Sequence, residues 1–442
     1  MYDIGKILTL KMLLMDRSIQ PELSSVELSD IRKPDVRVMR NGMNLACFDV
    51  PGSEMVRADF LFRAGQWEQS RPLQAKFSFS HLKEGTHSFS ADEIAEKLDF
   101  YGVSVDFVST MYYSLATVYC LKKSFKKILP ILQSIFTEPV YEEDKLSLEL
   151  STAKQSFLIS SQTVNFQCRN LFYRTLYGCG HPVTMQPEEK DFETLNREDL
   201  LEFKNKYIGS DNCKIYLTCG LDDDIITSVE SLFGESAWGC NSKETELLKP
   251  HDIVSAEEKR SVVKMSGTFQ SAVRMGCLFP PRDSDDFVPL TMLSTILGGY
   301  FGSRLMTNIR ETKGYTYDIS TVISTVPYNS AFMVVTETAN DYVERVIEEV
   351  YLEMEKLKRE PVGDAELAQV KNYMTGYACR NNDGGFQLPN AFVILDILGK
   401  SPETLLENNR RIRNMSADVI MEYAQKYLNA ENMKECIVGD VH

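Results

Sequence analysis

The spacing of the histidines shows whether this sequence contains a known helical zinc-binding motif. The pattern H-x-x-E-H on a helix binds zinc, because residues four apart share a helix face and the glutamate lies where it can activate bound water. The five histidines are at positions 81, 87, 181, 251 and 442, and no two are four apart. In the nearest string, His81 to Gly85, a glycine stands in place of the second imidazole. We therefore interpret His81 as a helix-end or core histidine.

A second pattern places an arginine and a tyrosine seven residues apart, after a glycine turn. Gly298 and Gly299 precede a helical stretch that ends near Arg310, and Tyr317 begins a strand pattern. Guanidinium and phenol groups are donors that can stabilise a developing oxyanion. The plainer alternatives stay open: arginine can cap a helix, tyrosine is common in strands, and paired glycines can simply end a helix.

Both patterns lie in segments that resemble the pitrilysin-type zinc peptidases, the family of the mitochondrial processing peptidase. The resemblance rests on Gly85-Thr86 with the helical stretch 91–98, and on residues 297–317, and it spans about residues 35–440. It implies that Arg310 and Tyr317 hydrogen-bond the substrate carbonyl near the scissile bond. It also implies that Gly298 and Gly299 assist substrate binding, and that strand 103–109 is an edge that pairs with an extended peptide.

The resemblance further implies that the family's zinc site is degenerate in this chain. Lys76 stands in place of the first histidine, Phe79 of the glutamate, Ser80 of the second histidine, and Ser156 of the distant glutamate ligand. An ammonium group, a phenyl ring and two hydroxyls offer neither imidazole nitrogen nor carboxylate oxygen. We expect no metal or other cofactor in this chain, and zinc in a partner chain.

Strand and helix patterns predict an α+β fold with mostly antiparallel sheets packed with helices. Asn41-Gly42 between two apolar segments predicts a hairpin, and Ser90 with Glu93 predicts a helix-starting capping box. The predicted strands of the first half are residues 36–39, 43–50, 55–64, 103–109, 113–121 and 213–219. The predicted helices are residues 72–82, 90–101, 123–136, 197–207 and one long stretch, 142–177.

Repeated landmarks indicate that the chain consists of two homologous halves. Residues 57–62 correspond to 274–279, Ser114 corresponds to Ser330, and Glu-Pro-Val recurs at 138–140 and 360–362, in the same order. Two unrelated α+β domains with a shared pattern are the alternative. We predict an N-terminal extension (1–34), a first domain (35–233), a linker (234–258) and a second domain (259–442), together one clamshell half of a peptidase chamber.

Composition limits the classes of partner. The net charge is −15, and no cluster of Lys and Arg could neutralise successive phosphates, which argues against nucleic acid. The apolar run at residues 7–15 is too short and too charged to span a membrane. Ten cysteines without a CxxC pair indicate reduced core residues and a cytoplasmic location.

These observations lead to one main hypothesis and one alternative. The main hypothesis is a non-catalytic, substrate-binding subunit of a heterodimeric zinc metallopeptidase, which supplies Arg310 and Tyr317 to a zinc-binding paralogue acting on unfolded peptides. The alternative is a non-proteolytic assembly or peptide-binding protein with the same fold. An independent hydrolase is disfavoured, since no Ser/His/Asp or Cys/His grouping has a recognisable spacing.

Overall fold

The computed structural model describes residues 28, 30–239 and 248–441, which form two β-sheets with helices around them. The strands are β1 (Asp35–Val38), β2 (Asn44–Asp49), β3 (Met55–Phe62), β4 (Ser104–Ser109), β5 (Ser114–Leu121), β6 (Cys213–Cys219), β7 (Arg260–Lys264), β8 (Gln270–Phe279), β9 (Thr316–Val326), β10 (Asn329–Ala339) and β11 (Lys434–Gly439).

The helices lie mainly between strands and after the last hairpin of each half. They are α1 (Gln74–Ser80), α2 (Ala91–Phe100), α3 (Lys122–Thr137), α4 (Glu143–Ser161), α5 (Val164–Tyr177), α6 (Glu189–Thr194), α7 (Arg197–Tyr207), α8 (Asp223–Val229), α9 (Phe287–Ser294), α10 (Val343–Arg359), α11 (Asp364–Asn381), α12 (Leu388–Ile397), α13 (Glu403–Asn414) and α14 (Ala417–Tyr427). Short π-helical turns extend α8 over Glu230–Gly234 and α9 over Thr295–Gly299, and another covers Met306–Thr312.

The two sheets share one topology. The strand orders are β1-β2-β6-β3-β5-β4 and β7-β11-β8-β10-β9, so the second sheet repeats the first without β1. In each sheet one pair is parallel, β2 with β6 and β7 with β11, and the other pairs are antiparallel. The matched serines occupy equivalent places, since Ser114 pairs with Phe62 and Ser330 pairs with Phe279. The prediction of an α+β fold with two homologous halves is confirmed.

Local sequence signals explain how the first half begins. Gly42 has a φ of +89°, which glycine adopts without strain, and it closes the turn between β1 and β2. The Ser90 hydroxyl accepts from the Glu93 amide while the Glu93 carboxylate accepts from the Ser90 amide, so the predicted capping box starts α2.

The single helical stretch predicted for residues 142–177 is wrong, because the structure has two helices there. The first, α4, ends at Ser161, and Thr163 is extended, with its hydroxyl accepting from the Phe166 amide. A threonine that caps a new helix takes the backbone out of helical geometry at that point. The break lets α5 leave the first half and pack on the sheet of the second.

Each half covers part of the other half's sheet with a helix. Residues of α5, among them Phe172 and Leu176, are buried against β8, β10 and β11. Conversely, Phe392 of α12 is buried against β2 and β6, with its ring 5.1 Å from that of Phe48. The hydrophobic contacts between the halves are therefore part of the core.

The predicted domain limits stay predictions. Most of the N-terminal extension (1–34), and residues 240–247 of the predicted linker, lie outside the described residues. Where the linker is described, the amides of Val254 and Ala256 donate to carbonyls of α5. Within the described ranges, no helix is long and apolar enough to cross a membrane.

Candidate functional site

The positions where the family's metal ligands would stand lie on α1 and α4 of the first half. Lys76 is exposed, with its ammonium 5.5 Å from the Phe77 ring. Phe79 is fully buried, and its ring lies 5.7 Å from that of Phe62 and 5.4 Å from that of Phe107. Phe79 is therefore part of the hydrophobic core.

A glutamate that the sequence did not single out connects α1 to α4. Glu149 accepts a hydrogen bond from the Ser80 hydroxyl at 3.3 Å, and its other oxygen lies 2.8 Å from Nδ1 of His81. His81 is fully buried, stacked near Tyr141 with 6.1 Å between ring centroids, as expected for a core histidine. Burial opposes ionisation of Glu149, but the contacts with His81 and Ser80 bring its pKa below the ordinary value.

Ser156 is not the α4 residue that lies next to α1. It is exposed, and its hydroxyl donates to the Thr152 carbonyl of its own helix. Glu149, about two helical turns earlier, contacts Ser80 instead. The assignment of Ser156 to the family's distant ligand position stays a prediction, since counting along a sequence cannot determine how two helices are aligned.

The residues at these positions do not fit a zinc ion. A buried phenyl ring has no donor atom, and a hydroxyl and an ammonium are poor replacements for imidazole and carboxylate. Across the described part of the chain, no three His, Cys, Asp or Glu side chains are grouped so that they could hold a metal ion. No reaction step through a metal is derived for this chain.

Arg310 lies in the π-helical turn Met306–Thr312 of the second half. Its guanidinium carbon is 4.7 Å from the centroid of the Phe301 ring and 5.4 Å from that of the Tyr317 ring. The structure therefore brings the predicted pair together, and adds a third residue, Phe301. Short π-helical segments occur often at functional sites.

Neighbouring cations are neutralised, whereas Arg310 is not. Arg304 makes two hydrogen bonds of 2.8 Å to Glu366, and Lys313 forms an ion pair with Glu349. No carboxylate of the described residues lies within ion-pair distance of Arg310. Its donors remain available to a ligand.

Tyr317 is directed outward by a β-bulge. Thr316 pairs with Thr338 and Ile319 with Thr336, so Tyr317 and Asp318 together lie opposite the single residue Glu337. The buried Thr316 hydroxyl donates to the Glu337 carbonyl at 2.7 Å and fixes the bulge. Tyr317 is consequently 84% exposed on β9, the edge strand of its sheet.

The two predicted substrate-binding glycines differ in their surroundings. A Cβ on Gly298 would lie 2.7 Å from Cγ2 and 2.9 Å from the amide nitrogen of Thr321, so this glycine permits close packing of the π-helical turn on β9. A Cβ on Gly299 would meet nothing nearer than 3.4 Å. Gly298 has a packing role, and substrate binding by either glycine stays a prediction.

The strand predicted to pair with a peptide, β4, is one of the two edge strands of the first sheet.

Phe301 and Glu149 were not among the predicted site residues. Phe301 lies inside the recognised segment, and its aromatic type beside two glycines was the available signal. Nothing in the sequence pointed to Glu149, since it is one of several acidic residues on α4.

Comparison with known proteins supports the same family. The family model described as "Peptidase M16 inactive domain" matches residues 194–374. An uncharacterized zinc protease of Rickettsia felis is 22% identical over 352 residues, which are 77% of this chain and 82% of that protein. The uncharacterized zinc protease YmxG of Bacillus subtilis is 23% identical over 296 residues, which are 66% of this chain and 70% of the YmxG chain.

Solved structures share the fold over nearly the whole chain. A peptidase M16 inactive domain from Pseudomonas fluorescens superposes with a TM-score of 0.81 at 17% identity, covering 92% of this chain and 98% of its own. A protease from Helicobacter pylori also superposes with a TM-score of 0.81, at 16% identity, and the match covers 93% of this chain and 100% of the protease chain. The periplasmic protease PqqL of Escherichia coli gives 0.75 at 14% identity, and this chain corresponds to 50% of its length.

The protein is thus an α+β chain with the two-sheet architecture of M16 peptidases. It is similar to the M16, or pitrilysin-type, peptidases, with residues 194–374 matching the inactive-domain model, and its sequence lacks the H-x-x-E-H motif.

Proposed function

We propose that this chain is the substrate-binding subunit of a two-chain zinc metallopeptidase, and that it donates Arg310 and Tyr317 to a peptide held at the partner's metal. The observation that carries the proposal is the state of Arg310. Its guanidinium has two aromatic neighbours and no carboxylate partner among the described residues, while Arg304 and Lys313 beside it are both neutralised.

The chemistry of the pair fits the stabilisation of a carbonyl oxygen that gains negative charge. Guanidinium N–H groups and a phenol O–H are hydrogen-bond donors, and one such donor contributes about 100-fold to the rate of an acyl-transfer reaction. The π-helical turn and the β-bulge fix both side chains on elements with buried anchors. The zinc and the base that activates water would come from the partner, a paralogue with H-x-x-E-H.

An unfolded peptide is the substrate class that this arrangement suits. The edge strands β4 and β9 have backbone groups that an extended peptide could pair with. The net charge of −15 argues against nucleic acid as a ligand. Seven of the nine described cysteines are buried, which supports our proposal of a reducing, cytoplasmic location.

One observation favours the alternative of a peptide-binding or assembly protein. Phe79 is part of the core, so this position of the first half contributes to packing and offers no metal ligand. Such a protein would have no use for an unpaired guanidinium beside an exposed phenol. The alternative therefore ranks second.

The test is peptidase activity in the presence of zinc, measured with internally quenched unfolded peptides. This chain, a co-expressed paralogue with H-x-x-E-H, and their mixture are compared, and the mixture is repeated with Arg310→Ala and with Tyr317→Phe. We expect activity in the mixture alone, and a decrease of about 100-fold with either substitution. Arg359→Ala and Tyr377→Phe serve as controls, because both side chains are exposed and their contacts are with Glu355 and Arg380 of their own helices.

Other outcomes separate the two functions. Full activity with Arg310→Ala and Tyr317→Phe would refute the donor role. Binding of unfolded peptide by this chain, without any gain in activity on mixing, would favour the peptide-binding alternative.

A further inference from the structure

Phe301 is an exposed aromatic residue whose position calls for an explanation. Its side chain is 64% exposed, although exposed phenylalanine gains little from the hydrophobic effect. Its ring contacts the Arg310 guanidinium, whose central carbon lies 4.7 Å from the ring centroid. The contact is shorter than that between Arg310 and Tyr317, at 5.4 Å.

The preceding turn directs Phe301 towards Arg310. Tyr300 packs on Tyr373 of α11, with 5.1 Å between ring centroids, and the Ser303 amide donates to the Tyr300 carbonyl at 3.0 Å. A Cβ on Gly302 would lie 2.9 Å from Cε2 of Tyr300, so a larger residue here would displace the Tyr300 ring. Phe301, between Tyr300 and Gly302, lies at the tip of the turn.

We propose that Phe301 is a positioning residue, which holds the Arg310 guanidinium in place before the peptide arrives. This inference rests on the function proposed above. A cation is attracted to the face of an aromatic ring, and an arginine that is not neutralised by a carboxylate would otherwise sample many rotamers. The ring restrains the guanidinium without neutralising its charge.

A ring stacked on the plane of a guanidinium leaves its N–H donors free for a substrate. The five N–H donors of a guanidinium lie in its plane, whereas an aromatic ring interacts through the π face. A carboxylate in place of Phe301 would also fix the arginine, but it would occupy its N–H groups and cancel its charge. An aromatic ring therefore suits an arginine that must donate to a ligand.

The test uses substitutions that separate the aromatic face from apolar bulk. Phe301→Leu keeps an apolar side chain and removes the ring, while Phe301→Tyr and Phe301→Trp keep a ring. In steady-state assays of the mixture, we expect Phe301→Leu to lower kcat about three- to fivefold with KM unchanged within about twofold. Phe301→Tyr and Phe301→Trp should restore kcat.

A matched control and a measurement on this chain alone complete the design. Phe100→Leu removes another exposed ring, 80% exposed at the end of α2, and should leave kcat unchanged. In the isolated chain, the Nε–Hε NMR signal of Arg310, assigned with Arg310→Lys, should change its chemical shift in Phe301→Leu, because one of its two neighbouring rings is removed. The unfolding midpoint should stay unchanged.

The outcomes distinguish this inference from the function on which it rests. If Arg310→Ala abolishes activity but Phe301→Leu has the kcat of the parent, the positioning role is overturned and the donor role stands. A change in KM alone would make Phe301 a substrate contact, which also overturns it. If Arg310→Ala has no effect, the donor role itself has failed, and the NMR signal then reports only a contact.

Discussion

At the residue scale, Glu149 shows what remains where the family's metal site would stand. Its carboxylate contacts Ser80 and His81 at the end of α1, so a hydrogen-bonded contact connects the two helices. The prediction that His81 is a core histidine is confirmed by its complete burial. An acidic side chain and a buried imidazole contribute here to structure, since the other positions offer no further ligands.

Asp286, at the start of α9, carries the clearest pH dependence. It accepts hydrogen bonds of 2.8 Å from Lys426 and from Tyr423, and another from Tyr427, all on α14. Hydrogen bonds from Lys426 and Tyr427 lower the pKa of Asp286 to about 2. Because its pKa is lower in the folded state, Asp286 stabilises the fold above about pH 4, and this contribution is lost as the pH falls towards 2.

We expect Asp286→Asn to lower the free energy of unfolding by about 1 kcal/mol at pH 7, allowing for partial solvent screening. Urea titrations of both proteins from pH 8 to pH 3 should show a constant difference down to about pH 5, and a shrinking one below pH 4. Asp285→Asn, at a fully exposed neighbour, should have no effect at any pH. A difference that grows on acidification would contradict the assignment.

At the element scale, two irregularities place the candidate site. The π-helical turn sets the direction of Arg310, and the bulge opposite Glu337 sets that of Tyr317. The spacing of seven residues predicted a helix followed by a strand, and both exist. Neither irregularity was predicted, because both depend on how β9 pairs with β10 and on the close packing against it.

Gly298 tests the close approach between the π-helical turn and β9. Gly298→Ala should lower the free energy of unfolding by about 1–3 kcal/mol, since its methyl group would overlap with Thr321. Gly299→Ala should be tolerated, as its nearest neighbours are 3.4 Å away. Urea unfolding measures both effects. A stable Gly298→Ala protein that fails to bind unfolded peptide would instead give this glycine a direct role in binding.

At the scale of the whole molecule, the halves are joined by equivalent polar contacts as well as by exchanged helices. Arg57 on β3 donates to Asn390 of α12 at 2.6 Å, and Arg274 on β8 donates to Asn165 of α5 at 2.9 Å. The strands β3 and β8 occupy the same place in their sheets. Each contact therefore joins the centre of one sheet to a helix of the other half.

Arg57 and Arg274 differ in whether a buried carboxylate lies beside them. Arg57 forms a buried ion pair with Asp59 at 2.7 Å, whereas Gly276 occupies the corresponding place beside Arg274. Burial raises the pKa of Asp59 despite Arg57, so the carboxylate depends on this partner. Arg57→Met should cost about 3–5 kcal/mol, because it leaves a buried charge without compensation.

Arg274→Met is the control at the equivalent position and should cost clearly less. Thermal and urea unfolding of the two variants measure the difference. Equal losses would mean that the contact between the halves, and not the buried carboxylate, determines the stability at both places.

The sequence by itself determined the class of fold and its two homologous halves, which follow from residue types, local spacing and repeated landmarks. The degenerate metal positions and the roles of Arg310 and Tyr317 are implied by the family resemblance and stay predictions. Only the tertiary structure decided that Glu149 rather than Ser156 lies beside Ser80, that α4 and α5 are separate, and that Phe301 contacts Arg310. The reason is that helix alignment, helix exchange between halves and ring contacts arise from packing between segments far apart in the chain, which no local pattern encodes.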